Sequence, residues 1–275
     1  MERVDHSNWK GEVQPHWDIF DIANGGYLMA IAARAMSEAA GGRLPVSVNA
    51  HFTRPVSAGP VGVSVGTIKE GRTFSTMRAT VSTMTTSRAP SSTYESTSAR
   101  ENGGGSLTLL GTFAEPTALG DDVVYMKGEP TTMPPPDGCI RAVPRGDAPL
   151  PPPLVAQFEE RIHPEDALVL AGKPSGVARI RGWFRLHDGE PLDRFTPLLV
   201  ADAFPPAVFN AGLPLAWTPT LEMTTHIRST PSTEWLRCIF TTRFVTDGFL
   251  EEDGEIWDEN GRLVALSRQL ALVPR

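Results

Sequence analysis

Three places in the chain combine residue types that can do chemistry. Gln269 is one of three glutamines, with Gln14 and Gln157, and it stands on an otherwise largely apolar run from Leu263 to Leu272. A side-chain amide in such company needs a hydrogen-bond partner. Asp202 is followed closely by Pro205 and Pro206. Proline has no N–H, so helical bonds to the carbonyls of Ala201 and Asp202 cannot form, and a helix there must bend or stop beside the carboxylate. Asn24-Gly25-Gly26 reads as a helix start, with N–H groups to offer and glycines that admit close backbone approach. A carboxylate can accept a proton, and a helix tip can polarise a carbonyl oxygen. Each group also has a plain role open to it. Asp202 could be a surface charge or local cap, Gln269 could bond neighbouring backbone, and Asn24-Gly25-Gly26 could be a turn and nothing more.

The elements that must position these groups occur twice. The alternating run Val46–Val48–Ala50–Phe52 is echoed by Leu221–Met223–Thr225–Ile227, with 227 − 52 = 175. The turn ending at Phe74 is echoed by the one ending at Phe249, and 249 − 74 = 175 again. An apolar helix-like run precedes each copy: Tyr27 to Ala40, opened by Asn24-Gly25-Gly26 and closed by Gly41-Gly42, and residues 195–208. The first helix is apolar nearly all round, with Arg34 and Glu38 as the main exceptions, so it must be wrapped on most sides. Strands are expected at 46–54, 61–69, 73–84 and 107–113, then at 158–163, 177–186, 219–229, 234–245, 249–258 and 262–273. Two copies of a helix-plus-strands unit imply a fused pseudo-dimer with a site where the copies meet. The division is 1–114, a proline-rich connector over 115–155, and 156–275. Residues 85–106, rich in Ser, Thr and Gly, read as a loop.

Bulk properties exclude several classes. The 275 residues suffice for a proper core, and 40% hydrophobic with 21% charged residues is ordinary for a globular protein. A net charge of −7 argues against nucleic acid as a partner. Cys139 and Cys238 make no disulfide framework, so a reducing cytoplasm is expected. No zinc-type Cys/His cluster is evident, no run approaches a membrane span, and the polar Met1–Asp5 start is no secretory signal.

One helix wrapped by a bent antiparallel sheet, doubled in one chain, resembles the double hotdog acyl-CoA thioesterases. The residues that carry the resemblance are Asn24-Gly25-Gly26-Tyr27-Leu28-Met29, His51-Phe52-Thr53-Arg54-Pro55 and Gly71-Arg72-Thr73-Phe74-Ser75, then Ala201-Asp202-Ala203, Thr218-Pro219-Thr220-Leu221 and Gly261 through Gln269. They cover roughly 20–84 and 156–273. The resemblance implies an α+β fold with two central helices, each wrapped by a curved antiparallel sheet. It implies hydrolysis of an acyl-CoA thioester with no cofactor and no metal. In the type II thioesterases an Asp, a Thr or Ser, and a Gln hold the attacking water, and these roles fall on Asp202, Thr220 and Gln269. The helix tip Asn24-Gly25-Gly26 then meets the substrate and polarises its carbonyl, and a tunnel lined by residues such as Met29 and Phe204 takes the acyl chain. Homodimers or homotetramers are plausible for such a pseudo-dimer.

The first half departs from this pattern. Shifting Gln269 back by 175 lands on Tyr94, and Asn24, which cannot act as a base, stands roughly where Asp202 stands in the second half. One site per chain, built mainly from the second half, is therefore expected. Two other classes compete. A hotdog hydratase or dehydratase usually needs an Asp/His pair, and no His lies between Leu198 and Phe209. A non-catalytic acyl-binding protein would keep the pocket without the chemistry. Arg54, Arg72 and Arg228 are candidates for the phosphates of coenzyme A.

Overall fold

Period-two alternation builds the strands. In the computed structural model, which describes residues 1–84, 105–115, 125–144, 151–187 and 189–274, Val61, Val63 and Val65 point into the core while Pro60 and Ser64 face solvent. The first half supplies β1 (Asn8–Val13), α1 (Gly25–Ala39), β2 (Leu44–Phe52), β3 (Gly59–Glu70), β4 (Phe74–Thr83) and β5 (Leu107–Ala114). The second supplies β6 (Phe158–Ile162), α2 (Pro164–Ala167), β7 (Arg179–Leu186), α3 (Thr196–Val200), β8 (Thr220–Ile227), β9 (Leu236–Thr241), β10 (Phe249–Asp258) and β11 (Leu263–Leu272).

These strands form one antiparallel sheet in the order β1-β3-β4-β5-β2-β8-β11-β10-β9-β7-β6, extended by two-residue strands. Outward from the central β2–β8 pair the order is β5, β4, β3, β1 on one side and β11, β10, β9, β7 on the other. Corresponding elements of the two halves thus take corresponding places. In the central pair Asn49 faces Thr224, and 224 − 49 = 175 is the separation at which the sequence repeats. Residues related by the repeat meet each other, as a two-fold arrangement requires. The Asn49 amide bonds this junction, donating to Thr224 Oγ1 at 2.9 Å and Glu222 Oε1 at 2.7 Å. Buried Arg194 adds a second tie, donating to the carbonyls of Pro45 in one half and Ile227 in the other.

α1 lies against this sheet with Leu28, Met29, Ala32, Ala33 and Met36 closed to solvent. Asn24 caps its start by accepting from the Tyr27 N–H at 2.8 Å. Gly41 and Gly42, at φ +72° and +88°, end it in the left-handed conformation that glycine tolerates. The two charges on the helix find partners: Arg34 pairs with Asp193 at 2.6 Å, and Glu38 accepts from the Trp9 indole at 2.9 Å. One hydrophobic cluster runs through both halves, from Trp9 and Met36 to Phe184 and Val264. Among the described residues no helix is long and apolar enough to cross a membrane.

The spacing predicts a second helix over 195–208, and here the structure differs. α3 stops at Val200, and a 3-10 turn, Ala207–Ala211, follows the Pro205-Pro206 break. Pro206 cannot donate to the Asp202 carbonyl, and that carbonyl accepts from Asn24 Nδ2 at 2.6 Å instead. Two matched central helices are therefore one long helix and one short, interrupted one. In the connector, Ile140–Arg141 pairs with β6 and the Pro134 carbonyl accepts from the Trp183 indole. The expected loop lies, at 85–104, outside the described residues, as does Tyr94.

Met29, expected on a tunnel wall, is fully buried in the core, because the cleft face of α1 carries Gly25 and Leu28. Met29→Ala should therefore lower the unfolding free energy by about 2–5 kcal/mol, the usual cost of a core truncation, measured by urea denaturation.

Candidate active site

A cleft enclosing about 1110 Å³, its open mouth included, lies where the tip of α1 meets the second half. Asn24, Gly25, Asp202, Thr220 and Gln269 line it together with Glu252. Gly26 does not line it and acts on it through its N–H.

The floor of the cleft is a carboxylate on a helix tip. Asp202 follows α3 directly, where the proline break turns the chain. Its Oδ2 accepts from the Gly26 N–H at 3.0 Å and from Asn24 Nδ2 at 2.9 Å. This approach requires both glycines. A Cβ on Gly26 would stand 2.5 Å from the Leu198 carbonyl oxygen and 2.9 Å from that of Leu199. A Cβ on Gly25 would stand 2.6 Å from the Phe52 ring and 3.1 Å from Asp202 Oδ2. The sequence reading leaves the helix-tip N–H groups free for a substrate carbonyl. The structure commits them otherwise: Gly26 donates to Asp202, and Tyr27 donates to Asn24 Oδ1. Burial pushes the Asp202 carboxyl up to about 6, against the opposing pull of the Gly26 and Gly25 N–H groups.

A polar chain faces Asp202 across the cleft. Gln269 on β11 sits opposite Glu252 on β10 in the strand register, and both point inward. Gln269 Nε2 donates to Glu252 Oε1 at 3.3 Å, Thr220 Oγ1 donates to Gln269 Oε1 at 3.4 Å, and the Ala207 N–H donates to Glu252 Oε2 at 2.6 Å. The partner that the Gln269 amide requires is thus Glu252, which the sequence reading passed over. Period-two alternation along β10 places Glu252 among inward residues between Leu250 and Gly254, and an acid in that series was the available signal. Burial pushes its carboxyl up to about 8, with the Asp202 charge adding to the shift and the Ala207 N–H opposing it.

The remaining candidates separate. Arg54 and Phe204 line the cleft, while Arg72 and Arg228 do not. Trp217 also lines it and meets Phe20 edge-on, with ring centroids 6.0 Å apart. His51 and His226 lie exposed on the outer sheet face. Among the described residues, His163, Glu165 and Asp166 stand close enough to hold a metal. The Arg181 guanidinium already takes that set, bonding Asp166 at 2.8 Å, Glu165 at 2.9 Å and His163 Nδ1 at 3.1 Å.

A broad antiparallel sheet, a helix packed on it, and a cleft that sets a carboxylate on the helix tip define a protein built for acid–base chemistry on a bound ligand. Residues 13–94 match the family model of the acyl-CoA thioesterase N-terminal domain, and residues 130–273 match that of the C-terminal domain. The chain belongs to this acyl-CoA thioesterase family and is a thioesterase. A candidate thioesterase II from Thermobifida fusca YX is similar in structure, with a TM-score of 0.81 at 27% identity over 99% of this chain and 94% of that one. A hot dog fold protein from Alicyclobacillus acidocaldarius has a TM-score of 0.78 at 19% identity, over 99% of this chain and 95% of that one. A Mycobacterium tuberculosis protein of uncharacterised function is 27% identical over 281 residues, covering 97% of this chain and 91% of that one. The fold is of the hotdog kind.

Glu252 makes stability depend on pH. Its folded-state pKa, about 8, lies above its ordinary 4.5, so the folded chain holds the proton more tightly. Its contribution is therefore complete at low pH and is lost as pH rises through that window. Glu252→Gln should lessen the stability lost between pH 6.5 and 8.5 by on the order of 1–2 kcal/mol, read from urea unfolding at the two pH values.

Proposed function

We propose that water attacks the thioester in this cleft while held by Asp202, Thr220 and Gln269. Asp202 takes a proton as the water oxygen bonds to the acyl carbon. The tetrahedral adduct then collapses, the C–S bond breaks, and the proton passes to the departing sulfur, so that a free acid and coenzyme A leave. The observation that carries this reading is the Asp202 carboxylate on the α1 tip, in one cleft with the Thr220–Gln269–Glu252 chain. A thioester carbonyl is already electrophilic, so orientation and a proton acceptor supply what the reaction needs.

Near neutral pH Glu252 is protonated. Its Oε1 accepts from Gln269 Nε2, and the Gln269 Oε1, turned the other way, accepts from the Thr220 hydroxyl. With its proton given to Gln269, the Thr220 oxygen offers lone pairs that accept from the attacking water. Asn24 and Gly26 act as positioning residues that hold Asp202, and Gly25 is the backbone strip the thioester passes. Exposed Arg54, at the cleft wall, meets the coenzyme A phosphates. No histidine lines the cleft among the described residues, which weighs against a hydratase.

The repeated strand order about the β2–β8 pair supports reading 1–114 and 156–275 as two hotdog units, joined by 115–155, the second with an interrupted central helix. Two free buried cysteines fit a cytoplasmic enzyme of acyl metabolism, and further pairing into homodimers or homotetramers is consistent with the fused design.

Release of thiol from a panel of acyl-CoA substrates tests the reaction. Asp202→Asn should lower kcat by about 10²–10⁴-fold. In the wild type, kcat/KM should climb as pH rises through about 6, where Asp202 ionises, and fall again above about 8, where Glu252 loses its proton. Glu252→Gln should remove the upper limb alone. A wild type silent on every chain length would leave only a binding role. Arg54→Ala should raise KM for acyl-CoA several-fold with kcat unchanged, which steady-state kinetics reads directly.

A further inference from the structure

Glu160 takes no part in the chemistry above, yet the fold keeps it in a costly position. It occupies the middle of β6, between Phe158 and Ile162 on the inward face, and is 0% exposed. Both carboxyl oxygens are buried, and among the described residues neither has a hydrogen-bond partner. Folded proteins rarely leave such a group unsatisfied without a use for it. Among the described residues its neighbourhood supplies no counter-charge, and the nearby Cys238 is a buried thiol. Burial pushes the Glu160 carboxyl up to about 8, so it is neutral at pH 7 and has one O–H to donate and lone pairs to accept.

Glu160 is also part of the wall of a second pocket, which encloses about 660 Å³ with its open mouth included. That chamber adjoins the catalytic cleft, because Ile19, Phe204, Pro206 and Trp217 belong to both. Its other walls include Val155, Ile162, Leu170 and Phe209, all apolar. Phe204 stands between the two spaces, its ring against Gly182, where a Cβ would lie 2.4 Å from it. A largely apolar chamber beside the proposed thioester site, with a buried unpartnered carboxyl in its wall, has the form of a specificity pocket.

We propose that this second chamber receives the distal part of the acyl group, and that Glu160 selects acyl chains carrying a hydroxyl that reaches it. This rests on the thioesterase reading of the neighbouring cleft. A hydroxyl matches a neutral carboxyl, since each donates one bond and accepts another. A cationic substituent fits less well, because burying an ion pair in apolar walls strips both charges of water. An unsubstituted chain fills the chamber and leaves the carboxyl unsatisfied. A site built to bond a hydroxyl discriminates strongly against the analogue that lacks it.

The test compares kcat/KM for pairs of acyl-CoA substrates of equal length, one saturated and one hydroxylated at successive positions. Wild type, Glu160→Gln and Glu160→Leu are each measured. The wild type should prefer the hydroxylated member at least tenfold at one hydroxyl position. Glu160→Gln keeps a donor and an acceptor and should retain part of that preference. Glu160→Leu should abolish or invert it. A wild type that treats each pair alike, or a Glu160→Leu enzyme that keeps the preference, overturns the proposal. Should Glu160→Leu not fold, an unchanged ratio in Glu160→Gln and in Glu160→Met does so equally. If no acyl-CoA is hydrolysed, the catalytic reading fails separately. Calorimetric titration of free hydroxylated and plain carboxylic acids into wild type and Glu160→Leu then decides, with equal affinities overturning the pocket assignment.

Discussion

The site depends on one contact: the Asp202 carboxylate bonded to the first turn of α1. Two effects oppose each other there. Burial disfavours the charge, while the N–H groups of Gly25 and Gly26 and the positive end of the helix favour it. The balance leaves the carboxyl near 6, high for an aspartate yet low enough to be ionised at neutral pH. A base poised in this way serves proton transfer better than a fully solvated carboxylate would. The same contact explains three sequence features at once. Gly25 and Gly26 remove the side chains that would hold the helix tip away, and Pro205-Pro206 frees the Asp202 carbonyl that Asn24 takes.

Much of this was legible in the sequence because strands and turns write their period directly. The separation of 175 between Phe52 and Ile227 is the separation between Asn49 and Thr224, which meet in the central strand pair. The inward Gln269 declared its need for a partner by standing alone among Leu263, Ala265 and Ala271. The proline break beside Asp202 was equally direct: a bend or a stop is expected there, and the helix stops, spanning only Thr196–Val200. What escaped was long-range. Glu252 is one of many acids, and its importance comes from sitting opposite Gln269 across a strand pair. Nor does composition reveal that the tip N–H groups are spent on Asp202, because their partner lies 176 residues away. Met29 shows the limit of reading a helix face by eye: one position from Leu28, it points to the core instead of the cleft.

The acids around the site form a graded series set by environment. Asp202, with N–H donors, sits near 6; Glu252, with one N–H and the Asp202 charge close by, sits near 8. Keeping these two apart matters, since two ionised carboxylates in one cleft would repel each other and blur the distinction between the group that accepts a proton and the group that holds one. The Ala207 N–H fixes Glu252 from the far side of the proline break. The broken helix therefore positions both acids, Asp202 before Pro205-Pro206 and Glu252 through the residue after it.

The two halves repeat a strand order, yet their helix tips are capped differently. A symmetric partner of the Asp202 contact would require the start of α3 to receive a carboxylate from the first half. Instead Asp193 caps that tip locally, its Oδ1 accepting from the Phe195 and Thr196 N–H groups at 2.9 Å each. The first half contributes Arg34, which binds Asp193 Oδ2 at 2.6 Å. At this end the Asp193 carboxylate offsets the positive end of α3, and Arg34 in turn pairs with that carboxylate. One tip receives the Asp202 carboxylate from the other half, and the other is capped by the local Asp193. The matching strand order about the β2–β8 pair is thus kept while the two helix tips meet different partners.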